Sequence, residues 1–460
     1  MSVLERFARH NHSLRARHDK PYLKPRPVRI SDDGRTHSLF SRQRDIMNQI
    51  LSPTIRHFNL DGSSSLSFNR RSPSPRDQSS ESLASNELAE PNWDRRKLLD
   101  LSDSVRLDLR EGNIFGPNAE KLSSFLETAL KDEERKYPKL DFDTIEYARL
   151  DKLLSELLQF AETIKTSEIT PELLLRFRVD VSEAKSLRRI WRRRFREQFF
   201  MINQHRCAIL VEGGRLKDVA FNSSLDYDLG KWQTKNMTGP VSEVEANLKF
   251  EPGHWWLNIT CAERDGIVNS SLETPTKGCY GFTALPLLTG SEEVIRDNTV
   301  KYVREGRSSE MHIPLISQVG RKIRIIRGYK LKSIFAPAAG LRYDGLYTIR
   351  QYGCKLDSNI NKYRLELTLE RATDQLSFES ISKVPKPSQL DDWALYEKLE
   401  GDKVKLLEGD RSYLEWKLKR QEEKADREEW QRARLFKASF SVPQTASPNQ
   451  RLERRVTYRP

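Results

Sequence analysis

The stretch from Gly320 to Gln375 constrains the fold more than any other part of the chain, because two of its segments alternate polar and apolar residues. Lys322–Ile326 alternates charged and apolar side chains, and Tyr363–Leu369 alternates again. A period of two sends successive side chains to opposite faces, so both segments predict half-buried strands. Between them, Asp344 and Gly345 form a turn dipeptide flanked by aromatic and β-branched residues. We therefore expect a β-rich unit here.

A basic loop with interleaved aromatic residues follows the first of these strands. Its cations are Arg327, Lys330 and Lys332, and its aromatic residues are Tyr329 and Phe335. Positive side chains among aromatic ones are a common composition for surfaces that contact nucleic acid, although a solvated basic loop has the same composition.

Four segments of this stretch resemble the SRA (YDG) family, the SET and RING associated domain. They are the strand Ile323–Gly328, the loop Lys332–Pro337, the hexapeptide Arg342–Tyr347 and the strand end Leu369–Arg371. Their order and spacing are similar to those of the family signature, whereas one hexapeptide alone would indicate only a well-formed turn. The resemblance implies an α+β fold, with a curved, partly closed β-barrel and flanking helices, in a divergent member of the family.

The Arg342, Tyr343, Asp344 and Gly345 motif is expected to be structural. The glycine permits a turn, the aspartate hydrogen-bonds the backbone and the tyrosine packs against the domain. We do not expect these residues to bind a ligand.

The segment from Gly281 to Gly306 resembles the part of the family that holds 5-methylcytosine. Inspecting that base in a duplex means flipping it out of the stack, at a cost of a few kcal/mol. The resemblance implies a pocket with two aromatic faces, an acceptor for the N4 amine and a niche for the methyl group. The matching positions are Gly290, Ser291, Glu292, Glu293, Tyr302 and Val303.

This pocket departs from the family pattern. Ser291 stands in place of the second aromatic residue, Val303 in place of a threonine, and the acidic run is one residue short. Losing one stacking face removes roughly 1–3 kcal/mol. A weak pocket, a pocket rebuilt with Phe282 or Tyr280, and an absent pocket all remain open. So does a purely structural interpretation, with Tyr302 as a buried strand residue and the two glutamates in an exposed turn.

The start of the domain also departs from the family. Trp256 and Gly266–Val268 look like its beginning, but Val268 stands where the family usually has histidine. The segment Asn269–Gly281 does not reproduce the family's H-x-P turn, which borders DNA. For the DNA backbone, the resemblance implies phosphate contacts by Arg327, Lys330, Lys332 and Arg307.

The rest of the chain divides by composition. Periodic leucines predict helices before the β-rich unit, Thr170-Pro171 predicts a helix start, and Cys207–Val211 predicts a short strand. The expected boundaries are a disordered basic region 1–92, a helical bundle 93–205, a linker 206–248, the SRA-like domain 249–380, a long charged helix 381–440 and a disordered tail 441–460.

The last helix of the bundle is rich in arginine. Two interpretations stand: a phosphate-gripping helix or nuclear address, which we favour, or an amphipathic helix anchored in the core by Ile190, Trp191 and Phe195. The arginines in question are Arg188, Arg189, Arg192, Arg193, Arg194 and Arg196.

Composition limits the partners. A formal charge of +13 suits an acidic partner, with nucleic acid the leading one. The four cysteines lack C-x-x-C spacing and accompanying histidine pairs, so we expect no structural zinc and no cofactor. No apolar run approaches the length of a membrane span, and we expect neither a membrane nor a small-molecule substrate as partner.

The leading hypothesis is a nuclear, chromatin-associated DNA-binding protein without enzymatic activity, which recognises methylated DNA such as hemimethylated CpG and works beside chromatin or histone-modifying proteins. Catalysis is not supported, because no SET, RING or nuclease motif is found outside the SRA-like region. Two alternatives remain. One is a degenerate SRA fold that acts as a protein-interaction scaffold. The other, less favoured, is a modification-dependent nuclease whose catalytic half lies in residues 93–205.

Overall fold

The computed structural model describes residues 93–113, 116–164, 170–222, 232–235, 238–296, 298–358 and 361–441. The regions expected to be disordered, residues 1–92 and the tail after Ser441, lie outside the described residues. None of the described helices is long and apolar enough to cross a membrane.

The N-terminal part of the described chain is a helical bundle, because its leucines recur at helical spacing and meet in one core. Leu126, Leu153, Leu154 and Trp191 are each fully buried in that core. The helices are α1 (Arg95–Glu111), α2 (Ala119–Glu133), α3 (Phe142–Tyr147), α4 (Leu150–Thr163) and α5 (Pro171–Glu212).

Helix α5 begins at Pro171, directly after Thr170, as its sequence predicts. It bends at Arg196, where φ is 43° and ψ is −116°, and then runs on to Glu212. The prediction of a short strand at Cys207–Val211 is therefore wrong. A run of five apolar residues fits either element, and here only Leu210 is buried, as one face of a helix requires.

Ten strands are described after the bundle, and eight of them form one mixed sheet, which we call the sheet domain. The sheet order is β4-β5-β8-β9-β10-β7-β6, with β3 paired to β9, and of these paired strands only β5 and β8 are parallel. The strands are β1 (Val219–Phe221), β2 (Trp232–Thr234), β3 (Trp255–Trp256), β4 (Thr276–Gly278), β5 (Gly281–Leu287), β6 (Ser291–Arg296), β7 (Thr299–Gly306), β8 (Lys322–Gly328), β9 (Leu341–Asp357) and β10 (Lys362–Arg371).

The α+β class is confirmed, but the described strands do not close into a barrel. The sheet curls back where the edge strand β6 bonds the loop that follows β8. The Glu292 N–H donates to the Lys332 carbonyl at 2.9 Å, and the Lys332 N–H donates to the Gly290 carbonyl at 3.0 Å. These two bonds place the β6–β7 hairpin against the basic loop.

Asp344 and Gly345 lie inside strand β9 rather than in a turn. The register between β8 and β9 shifts there, and Gly345 has φ of 93°. A glycine with positive φ is favourable both in a bulge and in a tight turn, so the Asp-Gly dipeptide alone does not distinguish the two. Farther upstream, Leu257–Cys261 alternates polar and apolar residues, which predicts a strand, and this prediction is also wrong. The Asn258 side chain accepts the Cys261 N–H at 2.9 Å and caps a short helix, α6 (Ile259–Arg264).

The C-terminal helices pack back onto both other parts. After α7 (Phe378–Ser382), helix α8 (Pro387–Ser441) breaks at Gly409, where φ is 90° and ψ is 176°. Its two arms run side by side. The Trp416 ring of the second arm lies so close to Gly401 of the first that a Cβ there would be 2.9 Å from the ring. The first arm bonds the bundle through Asp391 and Asp392. Their partners are Arg106 at 2.8 Å and Arg149 at 2.7 Å, respectively.

The contact between Gly340 and β3 should be intolerant of a side chain. A Cβ at Gly340 (φ 62°) would lie 2.2 Å from the Trp256 carbonyl and 2.8 Å from the Trp255 ring. We expect Gly340→Ala to lower the free energy of unfolding by about 2–4 kcal/mol, from overpacking and the positive φ together. Gly320→Ala is the matched control, since Gly320 has φ of 85° with nothing within 4 Å. Urea unfolding measures both, and equal losses would contradict the steric argument.

Candidate nucleic-acid interface

A buried arginine organises the residues that the sequence marks for function. Arg327 is fully buried at the end of β8. Its Nε–H and Nη2–H donate to the two carboxylate oxygens of Glu292 at 2.8 and 2.9 Å, and its Nη1 lies 2.7 Å from Asp344. Burial alone would lower the pKa of Arg327, but Glu292, Tyr347 and Asp344 outweigh it, and the pKa lies above its ordinary value.

Two of the expected site roles are therefore corrected. A fully buried Arg327 has no surface to offer a phosphate, and its cation is already matched by two carboxylates. Glu292 is likewise buried and accepts the Ser333 hydroxyl at 2.6 Å besides the guanidinium, so it is not free to accept from a base amine. Both residues hold the fold together.

The Arg342–Gly345 motif is structural, but by a different chemistry from the one expected. Asp344 accepts from the guanidinium of Arg342 at 2.5 Å as well as from Arg327, rather than from the backbone. Arg342 also donates to the carbonyls of Phe335 and Val384 at 2.6 and 2.8 Å. These bonds tie β9 to the basic loop and to the segment before α8.

Tyr302 belongs to strand β7 of the hairpin and has an exposed fraction of 2%. Its hydroxyl donates to the Thr289 carbonyl at 3.1 Å. Burial, followed by the nearby carboxylate of Glu273, raises the pKa of Tyr302 well above its ordinary value, so the phenol stays protonated. The ring offers no open face to a base in this structure, which matches the buried-strand interpretation. The hydroxyl also has an internal hydrogen-bond partner, as that interpretation requires.

The remaining pocket positions lie around this ring. Gly290 has φ of 86°, and a Cβ there would lie 2.5 Å from the Val303 carbonyl. Ser291 and Val303 are half-buried and pair with each other across the hairpin, whereas Glu293 is exposed. The structure thus brings the predicted pocket residues into one hairpin, but it encloses the aromatic ring.

One residue of this region was not identified from the sequence. Glu273 lies between α6 and β4, in the stretch that fails to reproduce the family's H-x-P turn, and no motif or spacing marks it. Its Oε1 accepts the N–H groups of Leu288 and Thr289 at 2.7 and 2.9 Å, and its Oε2 accepts the Thr289 hydroxyl at 2.7 Å. The Arg304 guanidinium lies 3.4 Å from the same Oε2.

The basic loop is partly covered by the second arm of α8. Lys330 pairs with Glu423 at 2.7 Å, and Arg427 donates to the carbonyls of Tyr329 and Pro337 at 3.0 and 2.8 Å. Beside these bonds lies an open groove of about 750 Å³. Of the loop's expected phosphate-binding residues, Lys330 and Lys332 are both exposed, and Lys330 is the one that is paired.

Arg307 is the expected phosphate-binding residue outside the basic loop, and it is exposed. It precedes the short 3-10 helix Ser308–Met311. No cluster of side chains suited to a metal ion occurs in the described ranges.

Helix α5 carries a line of exposed cations that we call the basic stripe. It consists of Arg178, Lys185, Arg189, Arg192 and Arg193. Spacings of seven, four, three and one residues bring all five to one side of the helix. None of the five forms an ion pair or hydrogen bond with another described residue. Extending the seven-residue spacing upstream from Arg192 would have identified Arg178 and Lys185.

The other expected cations of α5 lie apart from the stripe. Arg196 is exposed at the bend of the helix, and Arg188 is half-buried. Arg194 is paired with Glu133 at 2.6 Å. Trp191 is fully buried in the bundle core, as the amphipathic interpretation expects. The same helix also carries the exposed arginines on which the phosphate-binding interpretation depends.

Comparison with known proteins finds similarity to SRA domains over part of the chain. The SRA domain of SUVH5 in complex with methylated CHH DNA is 18% identical, covering 31% of this chain and 98% of that chain, with a TM-score of 0.23. Arabidopsis thaliana SUVH6 in complex with SAM is 16% identical, covering 39% and 33%, with a TM-score of 0.25. The modification-dependent restriction endonuclease TagI is 14% identical, covering 33% and 57%, with a TM-score of 0.24.

No protein-family model matches the chain, and no curated protein matches it. TM-scores below 0.5 support no inference about activity or partner, so the function of this chain has to be inferred from its own residues.

Removing the buried cation should cost the sheet domain much of its stability. Arg327→Met leaves the buried Glu292 without its cation and leaves Asp344 with Arg342 alone, so we expect a loss of about 3–5 kcal/mol in the free energy of unfolding. Lys332→Met removes an exposed cation of the same loop and should change it by less than about 0.5 kcal/mol. Urea unfolding followed by circular dichroism compares the two. A loss below about 1 kcal/mol for Arg327→Met would disprove the structural role.

Proposed function

We propose that this chain is a non-enzymatic DNA-binding protein that holds DNA chiefly through its phosphates. The basic stripe of α5 carries the proposal. Its five cations are exposed and without described partners, whereas Lys330 of the basic loop is already paired with Glu423. A cation without an internal partner is free to replace the counterions of a polyanion.

The dimensions of the stripe suit a nucleic acid backbone. At 1.5 Å per residue, the helix from Arg178 to Arg193 is about 22 Å long. Duplex DNA carries one charge per about 1.7 Å of its axis, so several phosphates lie within reach of this length. The formal charge of +13 supports attraction of such a partner over longer distances.

The proposal extends, at a finer level, to a site for modified cytosine in the sheet domain, including hemimethylated CpG, that is closed in the state described. The four motif segments in Gly320–Gln375 and the Tyr302 ring beside Gly290 support it. The enclosed position of that ring means that a flipped base is admitted only after the hairpin or a neighbouring side chain moves. We further propose a nuclear, chromatin-associated role as a reader or adaptor for chromatin-modifying proteins.

A degenerate domain that serves as a protein-interaction scaffold is the second candidate. It is favoured by the exposed leucines of the α8 arms: Leu406, Leu414 and Leu418 are 77%, 57% and 58% exposed. Apolar side chains on a charged helical hairpin suit a protein partner better than a polyanion.

The triple variant Arg189→Ala, Arg192→Ala, Arg193→Ala tests the stripe in the full-length chain. We expect affinity for a duplex at 0.15 M salt to fall about tenfold or more, because fewer phosphates are neutralised and fewer counterions are released. The slope of log affinity against log salt should become shallower by about 0.9 for each phosphate that the variant no longer neutralises. Fluorescence anisotropy over a salt series measures both.

The matched control is the triple variant Lys301→Ala, Arg350→Ala, Arg364→Ala. It also removes three positive charges, but these three cations are paired with Glu366 and Glu370 on the sheet. Its affinity should stay within about threefold of the wild type. Equal effects of both triple variants would indicate a net-charge effect and overturn the assignment to α5.

Methylation dependence is tested with one duplex in unmodified, hemimethylated and fully methylated form, at fixed salt. For the wild-type chain we expect nearly equal affinities, because Tyr302 is enclosed and its hydroxyl is bonded internally. A strong preference for one methylated form would show instead that the hairpin opens readily. Absence of binding to all three would refute DNA binding and leave the scaffold.

A further inference from the structure

The predicted base pocket already contains a polar group from the chain itself, the carboxylate of Glu273. Its side chain is 10% exposed. One carboxylate oxygen accepts two consecutive backbone N–H groups, those of Leu288 and Thr289, and the other accepts the Thr289 hydroxyl. The Tyr302 hydroxyl lies 3.5 Å from the first oxygen and Arg304 lies 3.4 Å from the second.

The donors around Glu273 belong to the pocket rather than to the loop that carries the glutamate. Leu288 and Thr289 directly precede Gly290 and Ser291, between strands β5 and β6, so their N–H groups are not used by the sheet. Consecutive N–H groups that point the same way form a concave site for an acceptor oxygen. Leu288 is half-buried and Thr289 is exposed at the edge of the hairpin, and Glu273 is the acceptor of both N–H groups in this state.

The same donors suit a nucleobase. A flipped pyrimidine presents a neutral ring carbonyl, which would accept the two N–H groups, and its face would lie near the Tyr302 ring. Glu273 has the advantage of charge, because hydrogen bonds to an ionised acceptor are roughly twice as strong as neutral ones. It is also tethered to the same chain, so it binds without loss of translational freedom.

We propose that Glu273 is an internal plug of the base pocket, a self-ligand that occupies the donors available to the carbonyl of a flipped pyrimidine. This inference rests on the proposed function at the sheet domain. It explains how a chain can keep the pocket hairpin, the Tyr302 ring and the backbone donors while these donors are already occupied. Base recognition is then suppressed by one side chain, and Glu273 sets whether the pocket accepts a base.

The test uses the full-length chain with Glu273→Gln and Glu273→Ala. Glutamine keeps the volume and one acceptor but removes the charge, and alanine removes the plug. Glu293→Gln is the matched control, because Glu293 is an exposed acid on the same hairpin and makes no contact with these donors. Each protein is titrated with unmodified and hemimethylated duplexes at fixed salt. A 2-aminopurine beside the CpG reports unstacking by its fluorescence.

We expect the ratio of hemimethylated to unmodified affinity to rise roughly tenfold in Glu273→Ala, the change that 1.4 kcal/mol produces. Glu273→Gln should show a smaller rise in the same direction. The 2-aminopurine signal should increase with both variants. Glu293→Gln should strengthen binding to both duplexes alike, through charge alone, and leave the ratio unchanged.

A ratio and a 2-aminopurine signal that stay at wild-type values in both Glu273 variants would overturn the plug and leave Glu273 a structural residue. Thermal unfolding shows whether each variant is folded. If Glu273→Ala does not fold, the affinity ratio of Glu273→Gln tests the plug instead. If no form of the chain binds a duplex, the DNA-binding proposal fails separately. Titration with the nucleoside 5-methyl-2′-deoxycytidine, followed by saturation-transfer NMR, then decides the plug: binding by Glu273→Ala alone supports it, and no binding overturns it.

Discussion

The sheet domain depends on one buried guanidinium, that of Arg327. Its partners Glu292 and Asp344 lie 35 and 17 residues away in sequence, on the β6–β7 hairpin and on the bulge of β9. A buried charge without its partner costs several kcal/mol, so the three segments are stable only together. Ser333 adds the basic loop to the same carboxylate. The position of the pocket hairpin therefore depends on this ion pair network as well as on the pairing of β7 with β10.

The same network divides the roles of the acids around the hairpin. Glu292 is committed to Arg327, and Glu293 is exposed to solvent, so neither supplies an acceptor to a base. The donors that precede Gly290 are not matched by either acid and take their acceptor from Glu273. The polar groups of this hairpin region therefore have internal partners. A site whose donors are occupied in this way differs physically from one whose backbone no longer presents them in the same direction.

Sequence periodicity predicts the half-buried elements and misses the fully buried one. Tyr363–Leu369 alternates and is found in β10 with alternating burial, as expected. Strand β8 is central in the sheet, and Arg324 and Arg327 are both buried within it. A period of two cannot reveal this, because it assigns charged positions to solvent unless their distant partners are known. Glu273 was missed for a similar reason, since its partners are largely backbone groups that leave no mark on composition or spacing.

The distribution of partners also separates two kinds of positive surface. The cations nearest the sheet are largely paired: Lys330 with Glu423, and Lys301 and Arg364 with Glu366. The stripe on α5 lacks such partners among the described residues, and this is why we propose the helical bundle as the main phosphate-binding surface. Phosphate binding and base inspection would then reside on different parts of the molecule. Because counterion release gives affinity without regard to sequence, the proposed function assigns selectivity to the hairpin, and the proposed plug assigns its control to Glu273.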